Sequence, residues 1–288
     1  MQAIFFAMLS SLFWSVGDIF GTKATRKIGG YSTALWSSLF GFFLLSLYAP
    51  TRLGDLTNAD TSTIVLCLVL GALGMIPFLA IYEALRLGNA SVVYTIGAAS
   101  GGLIVILSMI FLGQTVGFDQ GISILLIILG ILIASVNRKS LKGSTLLKDK
   151  GLKWALLAMV LWGVYYTFIT IPVAKVGWFW PNYFTLLMFP IIFLLMKYKK
   201  IPVENPVKKK VLVPLLFSSV LINLGAFSYN AALTKGLTII VAPISATYPV
   251  LFSVLAFLIF KDKMTRQQII GTIVMLIGII LLSFFSST

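Results

Sequence analysis

Apolar residues along the chain occur in long uninterrupted runs, not in the half-and-half patterns of a water-soluble fold. The runs lie near 3–22, 32–49, 63–86, 91–112 and 119–136, and again near 152–171, 181–196, 211–233, 237–260 and 267–285. A helix rises about 1.5 Å per residue, so crossing a hydrocarbon core about 30 Å thick takes roughly 17–25 residues. Spanning strands would be about half as long and would alternate in polarity. The pattern predicts an all-α integral membrane protein of ten transmembrane helices.

Composition agrees. The 288 residues are 59% hydrophobic and only 10% charged, whereas soluble domains carry about a quarter charged residues. Lipid must therefore solvate most of the surface. The net charge of +14 would suit a nucleic-acid ligand if it were clustered on one folded face, but it is not. Nineteen of the 22 basic residues follow odd-numbered runs, as at Lys23–Lys27, Arg138–Lys153, Lys197–Lys210 and Lys261–Arg266. Only Arg52, Lys175 and Lys235 follow even-numbered ones. Basic loops collect on the cytoplasmic side of a membrane. The expectation is a multi-pass protein of the cell membrane with both termini on the outer face, bound to lipid and not to nucleic acid.

One register relates the two halves. Adding 148 to a position carries Trp14 to Trp162, Phe20 to Phe168, Gly29 to Gly177, Gly88 to Gly236 and Gly130 to Gly278. Apolar coincidences are common in such a chain, but tryptophan and glycine matches in a single register are not. Each half holds five runs, an odd number, so the second half enters from the opposite side. The fold class is thus two inverted five-helix repeats: residues 1–137 and 151–288, joined by a basic cytoplasmic linker at 138–150. Inverted halves can exchange conformations and open a central site alternately to each side.

The ends of the halves carry a further pattern. The first reads Ala84-Leu85-Arg86-Leu87-Gly88-Asn89-Ala90-Ser91, then Phe111-Leu112-Gly113-Gln114 and Gly130. The second reads Ala232-Leu233-Thr234-Lys235-Gly236, then Ala242-Pro243, Pro249, Lys261-Asp262 and Gln268-Ile269-Ile270-Gly271 to Gly278. This resembles the EamA group of the drug/metabolite transporter superfamily across nearly the whole chain. The resemblance implies a carrier of small metabolites, with export of amino acids or related solutes favoured and uptake of sugars or other metabolites as the alternative. There are departures. Gln114 stands where the family commonly has an acid, and Thr95 and Gly101 stand opposite Pro243 and Pro249. The charge count also reverses the orientation in which members are usually drawn.

Polar side chains inside spans are costly unless they face protein or a water-filled space. Ser11, Trp14, Ser15, Asp18, Thr22 and Thr25 recur at helical spacing along the first run, and Trp162, Tyr166 and Thr170, with Tyr165 beside them, form the matching stripe. Two matched faces are what a cavity between inverted halves requires. Ser219, Asn223 and Asn230, with Tyr229 adjacent, mark the eighth run, and Tyr82, Tyr94 and Tyr248 are open to cavity or interfacial roles. Candidate substrate-binding residues are Trp14, Ser15, Asp18, Trp162, Tyr165, Tyr166, Asn223, Tyr229 and Tyr248. A mid-span aspartate costs about 2.5–3.5 kcal/mol to insert, so Asp18 is open to three readings: proton carrier, counter-charge for a cation, or interfacial partner of Lys23. Glu83 and Arg86 are spaced to pair with each other. Pro77, Pro243 and Pro249 suit kinks or gates, and the Gly97–Gly101 stretch, Ser100 included, suits close packing.

The chain holds no histidine and a single cysteine, Cys67, so it offers no disulfide, no His-ligated metal and no Ser-His-Asp chemistry. It also has no phosphate-cradling glycine loop. The first twenty residues have no basic leader and read as a retained first helix. The expected protein is therefore a transporter and not an enzyme. It would have no cofactor, a small-molecule substrate, an open question of proton coupling, and a monomeric or weakly dimeric state. A passive channel and an intramembrane enzyme are the readings from other classes. The orientation is checked by fusing alkaline phosphatase to the C-terminus in a bacterial host: an active fusion is expected, and a well-expressed inactive one would reverse the topology.

Overall fold

The computed structural model describes residues 1–57, 59–88, 93, 96–135, 150–260 and 265–286. The expected linker lies outside them save for its last residue, as do Tyr94, Thr95, Lys261 and Asp262. Among the described residues there is no strand. The helices are α1 (Gln2–Tyr48), α2 (Thr61–Leu87), α3 (Ser100–Leu112), α4 (Phe118–Ser135), α5 (Lys150–Phe168), α6 (Thr170–Val176), α7 (Trp180–Leu187), α8 (Phe189–Tyr198), α9 (Leu212–Leu233), α10 (Thr238–Ser245), α11 (Tyr248–Phe260) and α12 (Arg266–Phe285). A 3-10 turn, Ala49–Leu56, follows α1.

Six helical runs are long and apolar enough to cross a membrane: Gln2–Leu56, Thr61–Leu87, Gly151–Val176, Trp180–Tyr198, Leu212–Leu233 and Arg266–Phe285. Three shorter apolar helices, Ile96–Leu112, Phe118–Ala134 and Thr238–Phe252, accompany them. The stretches read from the sequence at 3–22 and 32–49 form one run that breaks at Gly29. Large apolar side chains such as Phe43, Leu47, Val69, Ile110 and Ile280 point outward, as a surface solvated by lipid tails requires.

Gly29 has φ 77° and ψ 164°, and Gly177, its partner at the offset of 148, has φ 72° and ψ −172°. Side chains strongly disfavour that region, so glycine at both positions lets each half break its helix at the same place. Each break lies beside an ion pair. Next to Gly29, Arg86 grips the buried Glu83 through Nε and Nη2 (3.0 and 2.8 Å to Oε2), the pairing their spacing suggested. Next to Gly177, Arg52 meets Asp55 at 2.6 Å and lies 5.2 Å over the Trp178 ring. On that same side Asp60 caps α2 by accepting from Thr63 N (2.8 Å) and pairs with Lys175 (3.1 Å). The hydrogen bonds from Thr63, with Lys175 adding, hold the Asp60 carboxyl below the usual carboxylate range.

Among the prolines, Pro77 sits inside α2, which continues through it. Pro249 stands in the first turn of α11, just past the interruption between α10 and α11 at 246–247.

Helix α1 packs along α9, α2 packs along α5 and α7, and α4 packs along α12. Lipid supplies little drive for helices to associate, so contact depends on close backbone approach at small residues. Between α4 and α12 a Cβ on Gly130 would strike the backbone of Met275, one on Gly271 would strike the backbone of Ala134, and one on Gly278 would lie 2.8 Å from Ile127 N. Gly121, by contrast, has open space around it. Gly271→Ala is therefore expected to lower stability by about 1–3 kcal/mol through overpacking, while Gly121→Ala is neutral or mildly stabilising. Unfolding in detergent micelles measures both, and equal effects would contradict this account of the seam.

Candidate functional site: a central cavity

Helices α1, α2, α3, α5, α7 and α9 converge with the α10–α11 junction around a cavity of about 110 Å³. Its lining maps onto itself under the repeat. Eighteen of the 26 lining residues form nine pairs at the offset of 148, among them Trp14 with Trp162, Asp18 with Tyr166, Ser37 with Thr185, Met75 with Asn223, Ile81 with Tyr229 and Ser100 with Tyr248. The positions are shared but the chemistry is not. The first half contributes a carboxylate where the second contributes a phenol, and the second half contributes an amide and two further tyrosines.

One wall is aromatic. The Trp14 ring lies 5.5 Å from Tyr166, 5.8 Å from Tyr229 and 6.1 Å from Tyr248, and Tyr166 lies 4.8 Å from Tyr229. Trp14 Nε1 donates to the Ile222 carbonyl (3.3 Å), and a side chain on Gly225 would collide with the indole. Thus a glycine on α9 makes room for the ring and a backbone carbonyl fixes its edge. Tyr229 Oη donates to the Tyr166 carbonyl (3.3 Å), and Tyr165 Oη shares a hydrogen bond with Thr185 Oγ1 (2.9 Å).

The opposing wall is polar and internally bonded. Asn182 Nδ2 donates to Asn223 Oδ1 (2.8 Å), Asn223 Nδ2 donates to the Ser219 carbonyl (2.7 Å), and Ser219 Oγ donates to the Ser37 carbonyl (2.8 Å). This chain ties α7, α9 and α1 together.

Asp18 lies one helical turn beyond Trp14 on α1 and lines the cavity. The structure does not place it as an interfacial partner of Lys23, which is exposed. Among the described residues Asp18 has no hydrogen-bond or ion-pair partner. The other described acids are accounted for differently. Asp55, Asp60, Glu83 and Glu204 each pair with a basic side chain, and Asp119 is exposed in the first turn of α4.

Eight of the nine candidate residues line the cavity: Trp14, Asp18, Trp162, Tyr165, Tyr166, Asn223, Tyr229 and Tyr248. Ser15 does not. Its hydroxyl is buried and lies 2.8 Å from the Ser11 carbonyl and 2.6 Å from that of Tyr248, so it clamps α1 to the α10–α11 junction. The helical period put it beside the stripe but could not say which edge faced a neighbour. Asn230, read with the same stripe, is buried and donates to the Trp178 carbonyl (2.9 Å) away from the cavity. Ser100, read as packing, lines the cavity instead.

Asn182, Thr185, Ser37 and Ser38 line it too and were not singled out. An asparagine within the apolar run 181–196 was the available signal, and the offset then joins Thr185 to Ser37. Gln114, noted as a departure, accepts from Ile239 N (3.0 Å) and so caps the start of α10.

Comparison with known proteins follows the same division of the chain. The sequence profile of the EamA-like transporter family matches residues 1–136 and again 149–284, two segments displaced by 148 at both ends. An uncharacterized protein of Methanocaldococcus jannaschii, MJ1333.1, is 37% identical over 92 residues, which are 32% of this chain and 65% of that protein. The match thus spans just under two thirds of the relative's length. A solved crystal structure superposes with a TM-score of 0.81 over 99% of this chain and 97% of its own, at 16% identity. At that identity the likeness is one of fold alone.

Proposed function

The chain belongs to the EamA-like transporter family, and on that premise we propose that it is a secondary transporter carrying a small metabolite across the cell membrane by alternating access. Membership places it among membrane transporters, and a non-enzyme reading is coherent with that. The observation that supports the mechanism is the self-mapping of the cavity. A site shared by two inverted halves can face either side of the membrane when the halves exchange conformations. The matched breaks at Gly29 and Gly177 supply the points at which each half can flex.

In this reading α1 contributes two crossings, the chain makes ten in all, and both termini lie outside, as the basic loops argue. The solute is an amino acid or a related compound moving outward, taken up between the aromatic and amide walls. Asp18 is the group able to carry a proton through the cycle, because it faces the cavity with no basic neighbour in the lining. A monomer suffices, since both halves of the site lie in one chain.

The test is flux in proteoliposomes of purified protein under an imposed proton gradient, across a panel of amino acids, amines and sugars. Saturable, concentrative uptake of at least one solute is expected. Asp18→Asn, with folding checked by thermal unfolding, should reduce gradient-driven accumulation to the level of protein-free vesicles. Equilibration without saturation would favour a passive channel, and undiminished accumulation in the variant would remove Asp18 from coupling.

A further inference from the structure

The cavity holds one charged side chain among its described lining residues, Asp18, and neither lysine nor arginine lines it. In a chain with 22 basic and 8 acidic residues, that is the reverse of the overall balance. The carboxylate oxygens have no hydrogen-bond or ion-pair partner among the described residues, although four other described acids do. A carboxylate kept ionised in a space with apolar walls needs a cation or hydrogen-bond donors beside it. Asn182, Asn223 and Ser219 each donate to a protein acceptor, and the other polar groups of the described lining, Ser37 and Tyr82 among them, are neutral hydroxyls and phenols that bring no positive charge. Among the described residues, therefore, the space facing Asp18 lacks a positive group.

The aromatic wall has the same preference. The faces of tryptophan and tyrosine rings carry partial negative charge and attract ammonium groups. Trp14 sits one turn from Asp18, with Tyr166, Tyr229 and Tyr248 packed around it. An anionic solute would meet Asp18 with no base to offset it, and a zwitterion would bring a second carboxylate into the same space.

We propose that the cavity selects an organic monocation, a primary amine on an aromatic or apolar body, with Asp18 as its counter-charge and the Trp14–Tyr166–Tyr248 rings as its walls. This rests on the transporter reading of the same cavity and narrows its solute from amino acids and their relatives to the amines among them.

Four indoles that differ in charge test it: tryptamine (cation), tryptophol (neutral), tryptophan (zwitterion) and indole-3-acetate (anion). Calorimetric binding to the full chain in detergent should rank tryptamine first. Asp18→Asn should weaken tryptamine by about thirtyfold or more, as loss of one partner of a buried charge pair does, while leaving tryptophol unchanged. Asp18→Glu should restore part of the loss. The proposal is overturned if tryptophan or indole-3-acetate binds as tightly as tryptamine, or if tryptamine fails to bind at millimolar concentration. It is also overturned if Asp18→Asn, folded by its melting curve, binds tryptamine as the parent does. Binding is read without a gradient, so the two claims fail separately. Tight tryptamine binding with no flux in vesicles defeats the transporter reading alone, whereas saturable flux of other solutes without a preference for amines defeats only this one.

Discussion

A hydrocarbon environment gives a backbone N–H or C=O nothing to bond with, and each unsatisfied group costs several kcal/mol. That constraint runs through this molecule at every level. It makes the described chain helical and turns Phe43, Val69 and Ile280 outward, while helix breaks fall at Gly29, Gly177 and the α10–α11 junction. It also gives a reason for the polar side chains that bond between helices. Asn182, Asn223 and Ser219 bond in sequence and end on the Ser37 carbonyl, and buried Glu83 is held by Arg86. Asp18, which lines the cavity, has no hydrogen-bond or ion-pair partner among the described residues.

Repetition gives Asp18 its setting. Two halves in one register supply the same positions to the cavity, so its outline is shared while its chemistry differs. Where the first half places Asp18, Met75, Ile81 and Ser100, the second places Tyr166, Asn223, Tyr229 and Tyr248. Under the proposed alternating access, a duplicated scaffold would keep the two conformations near in energy. Divergence at matched positions then gives one site a charge, an amide wall and a ring cluster that no symmetric arrangement would have.

Much of this was legible in the sequence because lipid imposes coarse rules. Run length marked the chain as helical, though only six described helical runs are long and apolar enough to cross a membrane, and the Trp14–Trp162 register marked the repeat. The matched polar stripes located the cavity, and eight of nine candidate residues line it. What escaped depended on the azimuth and neighbours of single residues. Ser15 shares the stripe with Trp14 and Asp18, yet its hydroxyl is taken by the carbonyls of Ser11 and Tyr248. Ser100 stands in a glycine-rich stretch that argues for packing, and packing is what Gly101 does against Ala246, but Ser100 itself turns inward. Asn182 was overlooked because one amide within an apolar run carries little signal until its partner, Asn223, is placed beside it. The Gly29 break was hidden because the apolar pattern resumes after it.

The central claim is that the self-mapping cavity opens in turn to both sides of the membrane. Its most direct test is thiol access at one matched pair of lining positions, Ser38 and Leu186. In a Cys67→Ala background, Ser38→Cys and Leu186→Cys would each be exposed in sealed vesicles to a membrane-impermeant maleimide, added to the outside in one sample and trapped inside in another. Alternating access predicts that both positions label from both sides, more slowly than a surface cysteine. Labelling of either position from one side only, or from neither, would contradict it.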